Sequence, residues 1–132
     1  MAQNPELDHL IEAMARYVID LPRGIAIHLP KFKDGNVTDI EFIWGNNTFQ
    51  SWQKEPLQVG ALGSKIRHQF DELLPHLTRA WFEGQSIQFF SGSGISKYSG
   101  IEVETIWSKV EDVIVEWGDD INSKISEKLS LN

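Results

Sequence analysis

Four histidines, two pairs of carboxylates and one glycine–serine loop are the residues of this chain that could do chemistry. An imidazole can shuttle a proton, hold a metal or sit axial to a haem. His9, His28, His68 and His76 each read as solvated or structural instead. His9 lies on the polar side of a helical segment. His28 has the opposite parity to Ile25, Ile27 and Leu29, so it faces away from whatever they bury. At 100° per residue, His76 falls off the centre of a stripe formed by Phe70, Leu74, Leu77 and Trp81, and His68 falls further still. His68-Gln69-Phe70 also lacks the surroundings of a kinase phosphoacceptor.

Glu102 and Glu104 share one strand face, roughly 7 Å apart from the rise per residue. Paired carboxylates can do acid–base work or hold a hard cation, but alternation with apolar neighbours makes this a solvated strand face. Asp119-Asp120 reads as a helix start capped by Asp120. Gly92-Ser93-Gly94 has neither the Lys nor the following helix of a phosphate loop, and it does not fit a nucleophile elbow. The chain has no cysteine, which removes disulfides, thiolate zinc and a thiol nucleophile. No metal site and no cofactor are expected, and neither haem nor flavin absorbance.

Aromatic content is the remaining signal, with 5 Trp and 7 Phe. Phe42, Trp44, Phe49, Trp52, Leu77, Trp81, Phe89 and Trp107 either line a pocket or fill a solid core. Thr105 and Gln88 are the polar side chains that could meet a ligand on the sheet. The length, 132 residues, suits one domain with a sizeable core. The formal charge of −7 makes phosphate backbones and anionic membranes poor partners. No apolar run approaches a membrane span and no secretory signal opens the chain, so a cytoplasmic address is expected.

The elements that must position these residues follow from periodicity. Asn4-Pro5-Glu6 reads as a helix start. Leu7, Leu10, Ile11, Met14 and Val18 follow at helical spacing. Ile25, Ile27 and Leu29 alternate as a strand, Lys33-Asp34-Gly35-Asn36 turns, and Val37 to Trp44 returns with Ile40, Phe42 and Trp44 on one face. Asn46 then caps a short helix that points Phe49 and Trp52 inward, Gly45 allowing the change of direction. Short helices and connections fill 53–69. Phe70, Leu73, Leu74, Leu77 and Trp81 stripe a longer helix that tolerates Pro75 near its start. Three strands follow: Ser86–Phe90, Ile101–Trp107 and Val113–Trp117. Ile121, Ile125 and Leu129 suit a terminal helix. Ile106 and Ile114, between Glu102, Glu104 and Glu116, are read as the open face of the sheet.

This order resembles a PAS sensory domain. In that family the second strand commonly ends in an Asn with apolar residues three and six positions on, as Asn46, Phe49 and Trp52 do. Gly63-Ser64-Lys65 resembles the "iGk" before the family's long helix. Ala80-Trp81-Phe82-Glu83-Gly84 resembles the end of that helix, and Asp120-Ile121-Asn122 the triplet that leads to an output helix. The acidic pair that often follows the first short helix is not evident. The resemblance covers roughly residues 20–122. It implies an α+β fold: a five-stranded antiparallel sheet in the order 2-1-5-4-3, helices on one face and an N-terminal flanking helix. The divisions would be a flanking helix at 1–20, the PAS-like domain at 21–122 and the start of an output helix at 123–132.

The function implied is that of a non-catalytic sensor. It would perceive a small ligand or a partner and signal through its terminal helices, by way of Asp120 and Ile121, to a histidine kinase or diguanylate cyclase. The chain would then be an excised piece or a stand-alone regulator. A homodimer is expected, built on Leu7, Leu10, Ile11, Met14 and Val18, because the charges beside Ile106 and Ile114 make self-coverage of the sheet less comfortable. The alternative is a small cone-shaped enzyme or carrier of the nuclear-transport-factor-like or ketosteroid-isomerase-like kind. That fold wants an acid or His inside an apolar pocket, whereas the inward positions assigned here are nearly all apolar.

Overall fold

A computed structural model describes residues 5–53, 55–67, 70–90 and 103–120. The elements run α1 (Pro5–Tyr17), β1 (Gly24–Lys33), β2 (Asn36–Gly45), α2 (Asn47–Ser51), α3 (Gly63–Ile66), α4 (Phe70–Glu83), β3 (Gln85–Phe90), β4 (Val103–Val110) and β5 (Val113–Asp120). The five strands form one antiparallel sheet in the order β2-β1-β5-β4-β3. The fold is therefore α+β, with β1 and β5 central. Asn4, His68, Glu102 and Ile121 onward lie outside the described residues, as do the side chains of Gln88, Phe89 and Asp120. No described helix is long and apolar enough to cross a membrane.

Both faces of the sheet are covered, and β1 and β5 show why. Ile25-Ala26-Ile27 and Val113-Ile114-Val115 are apolar at both parities, the composition of strands buried on two sides. On the inner face Ile40, Trp107 and Ile114 pack against Phe70, Leu73, Leu77 and Ala80 of α4. Ala26 and Phe42 pack against Phe49 of α2. On the outer face Ile25, Ile27, Val113 and Val115 take the stripe of α1, with Leu7, Leu10, Ile11, Met14 and Val18 against them.

That outer layer corrects two expectations. The stripe of α1 packs on its own sheet, each of its residues partly buried there, against the expectation that the charges beside Ile106 and Ile114 make that cover less comfortable. The covering is comfortable because Glu116 is not on that face. It alternates with Val115 and Trp117, shares its parity with Ile114, and is fully buried on the inner side. Ile106 and Ile114 have opposite parities on neighbouring strands that pair Ile106 with Trp117 and Lys109 with Ile114.

Trp44 is a third correction. It packs in the outer layer with Ile43, away from Ile40 and Phe42. The register explains it: Ile27 pairs with Trp44 and His28 with Phe42, so Ile43 is an extra residue. A bulge of one residue breaks strict alternation and turns everything beyond it to the other face.

Candidate functional site

Asn46 organises the joint between β2 and α2. Its Oδ1 accepts from the Phe49 N–H at 2.9 Å, which is the expected cap, and also from the Ile25 N–H at 3.0 Å. Its Nδ2 donates to the carbonyls of Val18 at 2.9 Å and Arg23 at 2.8 Å. One fully buried side chain thus ties the end of α1, the start of β1 and the first turn of α2 together, using both amide donors and two acceptor sites. Gly45 serves space here: a Cβ would lie 2.7 Å from the Phe49 ring.

Beyond this joint, three charged or ionisable side chains meet in the interior. His28 comes from β1, Glu116 from β5, and Arg67 from the residue that ends α3. His28 is 1 %, Glu116 0 % and Arg67 8 % exposed. The Arg67 guanidinium forks onto the carboxylate, one nitrogen donating to Oε1 and the other to Oε2 at 3.3 Å. His28 Nε2 lies 2.8 Å from Oε1. The central strands make His28 and Glu116 diagonal neighbours on one face, since Ala26 pairs with Glu116 and His28 with Ile114.

The walls are aromatic. The His28 ring lies 6.0 Å from those of Phe42 and Trp107 and 6.4 Å from that of Phe49. The Arg67 guanidinium carbon sits 5.1 Å from the centre of Trp107, within cation–π range. Burial alone would raise the Glu116 carboxyl. Burial is the largest single influence, but the Arg67 charge, the His28 hydrogen bond and charge and the Arg67 hydrogen bond together outweigh it and hold Glu116 below the usual carboxylate range. For His28 burial dominates and lowers its pKa, against the hydrogen bond and charge of Glu116. The cluster is thus a carboxylate, a guanidinium and a neutral imidazole that donates through Nε2, with no net charge.

Three buried polar atoms have no hydrogen-bond partner among the described residues: His28 Nδ1, Arg67 Nε and Thr105 Oγ1. Thr105 is on the same strand and face as Trp107, two residues away. Around the cluster there is therefore one free acceptor, one free N–H donor and one hydroxyl. Buried groups of this kind ordinarily find partners.

Of the proposed pocket residues, Phe42, Phe49, Thr105 and Trp107 do come together on the inner face. Trp52 joins partly buried, its ring lying where a Cβ on Gly24 would be. Leu77 is fully buried under α4. Trp81 sits at the far end of α4 between Phe32, at 5.1 Å, and Lys109 Nζ, at 4.4 Å. Trp44 is on the other face, and the side chain of Phe89 is outside the described set. His76 Nδ1 meets Ser86 Oγ at 3.0 Å and links α4 to β3. Among the described residues no three His, Asp or Glu group closely enough to hold a metal ion.

Sequence reasoning missed Arg67 and Glu116 as site residues. The signal was there for Glu116: one acid inside the run Val113-Ile114-Val115-Glu116-Trp117, apolar at both parities, has nowhere solvated to go. The same holds for His28 in Ile25-Ala26-Ile27-His28-Leu29. Nothing comparable marks Arg67. No protein-family model matches the sequence, and no curated protein matches it.

Proposed function

We propose that this chain is a non-catalytic sensory module of the PAS kind, working in the cytoplasm. It perceives a small molecule or a partner on its helical side and passes the change to a signalling enzyme such as a histidine kinase or diguanylate cyclase. The strand order and the Asn46 joint support this reading. The observation that carries it is the His28–Arg67–Glu116 cluster. Arg67 stands where α3 gives way to the segment leading into α4, and Glu116 stands four residues before the end of β5. A displacement of the helical layer therefore pulls on the strand that feeds the C-terminal segment. The free valences of His28, Arg67 and Thr105 suit a small neutral ligand bearing a donor next to an acceptor.

Hydrogen exchange tests the coupling. In Arg67→Gln, amides of α4 and of β5 from Glu116 to Gly118 should both exchange faster than in the wild type. Faster exchange in α4 with β5 unchanged would remove the relay. Mass spectrometry of whatever denatured protein releases would identify the ligand.

One observation favours the cone-shaped enzyme as a second reading: an acid and a histidine do lie in apolar surroundings. Against it, Arg67 occupies both carboxylate oxygens and keeps Glu116 from acting as a poised base. Two strands also precede the long helix and three follow. Deuterium incorporation into a ketone substrate, lost in Glu116→Gln, would favour the enzyme.

A further inference from the structure

With α1 laid on its own sheet, one end of the fold carries two complementary halves. The first is a groove. Leu7 and Leu10 of α1, with Val110 and Val113 flanking the β4–β5 turn, form its apolar floor; Glu6, Glu111 and Asp112 form its rim. None of the three carboxylates is in an ion pair among the described residues. Glu111 has φ +53°, a left-handed conformation that suits Gly or Asn far better than Glu. The rim keeps a charged side chain against the preference of its own backbone.

The second half is a knob. His28 pairs with Ile114, so Leu29 is level with Val113 and the rest of β1 runs past the Val110–Val113 pair that precedes the β4–β5 turn. Four residues overhang, roughly 13 Å at the rise of a strand. The overhang ends Lys31-Phe32-Lys33. Phe32 is 46 % exposed, its ring backed on one side by Trp81. Lys33 is exposed, and Lys31 is half exposed, 3.6 Å from Glu41. An aromatic ring between two lysines thus projects from the same end as an apolar groove rimmed by three acids.

We propose that two copies clasp about a two-fold axis at this end, each placing Phe32 in the other's groove and its lysines against the other's acidic rim. Each hairpin reaches past the Val110–Val113 end of its own sheet, and the groove lies beside its base. Such a contact is isologous and closes on itself as a dimer. Opposite charge at the contact offsets the −7 that each chain carries and fixes the register. The clasp stands or falls by association alone, and the relay by exchange in β5.

Sedimentation equilibrium of the full chain tests it. Wild type should be dimeric at concentrations on the order of 100 µM, the range of a weak specific pair. Phe32→Ser, Lys33→Glu, and Glu111→Lys with Asp112→Lys should each weaken association about tenfold or more. Mixing the two charge-reversed chains should restore it. Glu111→Gly should raise the thermal midpoint and yet weaken the dimer, opposite signs that general destabilisation cannot produce. A wild type that stays monomeric, a dimer indifferent to Phe32→Ser, or charge-reversed chains that fail to pair while remaining folded by circular dichroism would each overturn the proposal.

Discussion

Glu116→Gln removes the charge of the buried cluster while keeping its shape. The amide oxygen can still accept from His28 and one Arg67 nitrogen, while the amide nitrogen turns a donor toward the other, so the charge and one arm of the fork are lost together. Two unit charges about 4 Å apart attract by about 4 kcal/mol at an effective dielectric near 20. Breaking a buried pair from one side typically costs about 3–5 kcal/mol, because the surviving charge is left in a dry site. Arg67, 3 % exposed at its side chain, is such a charge. A domain of this size is stable by roughly 5–15 kcal/mol, so the variant should lose about a fifth of its stability or more. Urea titration followed by tryptophan fluorescence reads this directly, since Trp107 lies against both His28 and Arg67. The partner variant Arg67→Met should cost a similar amount. The double variant should cost much less than the sum, because no charge is stranded and the site becomes amide and thioether. A coupling of about 3 kcal/mol is expected from this cycle. A cost below about 1 kcal/mol for Glu116→Gln, the level of an exposed pair, or additivity of the two changes would refute the claim that the cluster is dry and mutually compensating.

Asn46→Ala removes four hydrogen bonds rather than one cap, so it should cost about 3 kcal/mol or more, against about 1 for an ordinary cap; a chemical denaturation curve checks this. Thr105→Val replaces an unpartnered buried hydroxyl by a methyl and should stabilise the ligand-free protein by about 1 kcal/mol; a loss of stability would mean that the hydroxyl has a partner in solution. Stability should fall as pH drops below 6.5. The folded chain resists protonation of His28, buried among Phe42, Phe49, Trp107, Arg67 and Glu116, while the unfolded chain takes the proton near 6.5. The unfolded state then binds more protons, so stability is present above 6.5 and is lost below it, with a slope of at most about 1.4 kcal/mol per pH unit per group. Glu116, held below 4.5, adds a loss of the same sign below 4.5. His28→Gln should flatten the upper part of the profile; His76→Gln, whose histidine is lowered by partial burial and then by the Arg79 charge, should flatten it in the same direction but less.

The strands and helices were legible because their periods are clean. Ile25, Ile27 and Leu29 alternate; Phe70, Leu73, Leu77 and Trp81 repeat at helical spacing; Asn46 stands where a strand must give way to a helix. The faces were harder. Parity put His28 opposite Ile25 and Ile27, which is where it lies, but only the packing of α2 and α4 makes that side the interior. The same choice, made the other way, put Glu116 on the open face. Trp44 went astray for a local reason: one bulged residue, Ile43, resets the alternation, and no composition cue marks it. Arg67 is the least readable. It is one of 12 cations, on a short helix with no stripe of its own, and its role comes entirely from the carboxylate it meets across the core.

That meeting is not explained by stability alone. Well-packed apolar residues in place of a buried ion pair are often as stable or more so, and Phe42, Phe49 and Trp107 already stand beside the cluster. What the ionic arrangement adds is position. An apolar contact tolerates sliding, whereas a forked guanidinium on a carboxylate, with an imidazole on one of its oxygens, fixes three chain segments to within a hydrogen bond. The segments are β1, whose start Asn46 ties to the end of α1; the end of α3; and β5, four residues from its end. Together they connect the first helix, the helical layer and the last strand through two buried polar residues, Asn46 and Glu116. Cutting one link at a time separates a packing role from a relay. If Glu116→Gln loosens β5 and α4 together while Asn46→Ala loosens α1 and α2, the two residues act as distinct joints of one path. If each variant loosens the whole domain uniformly, the cluster is only a part of the core.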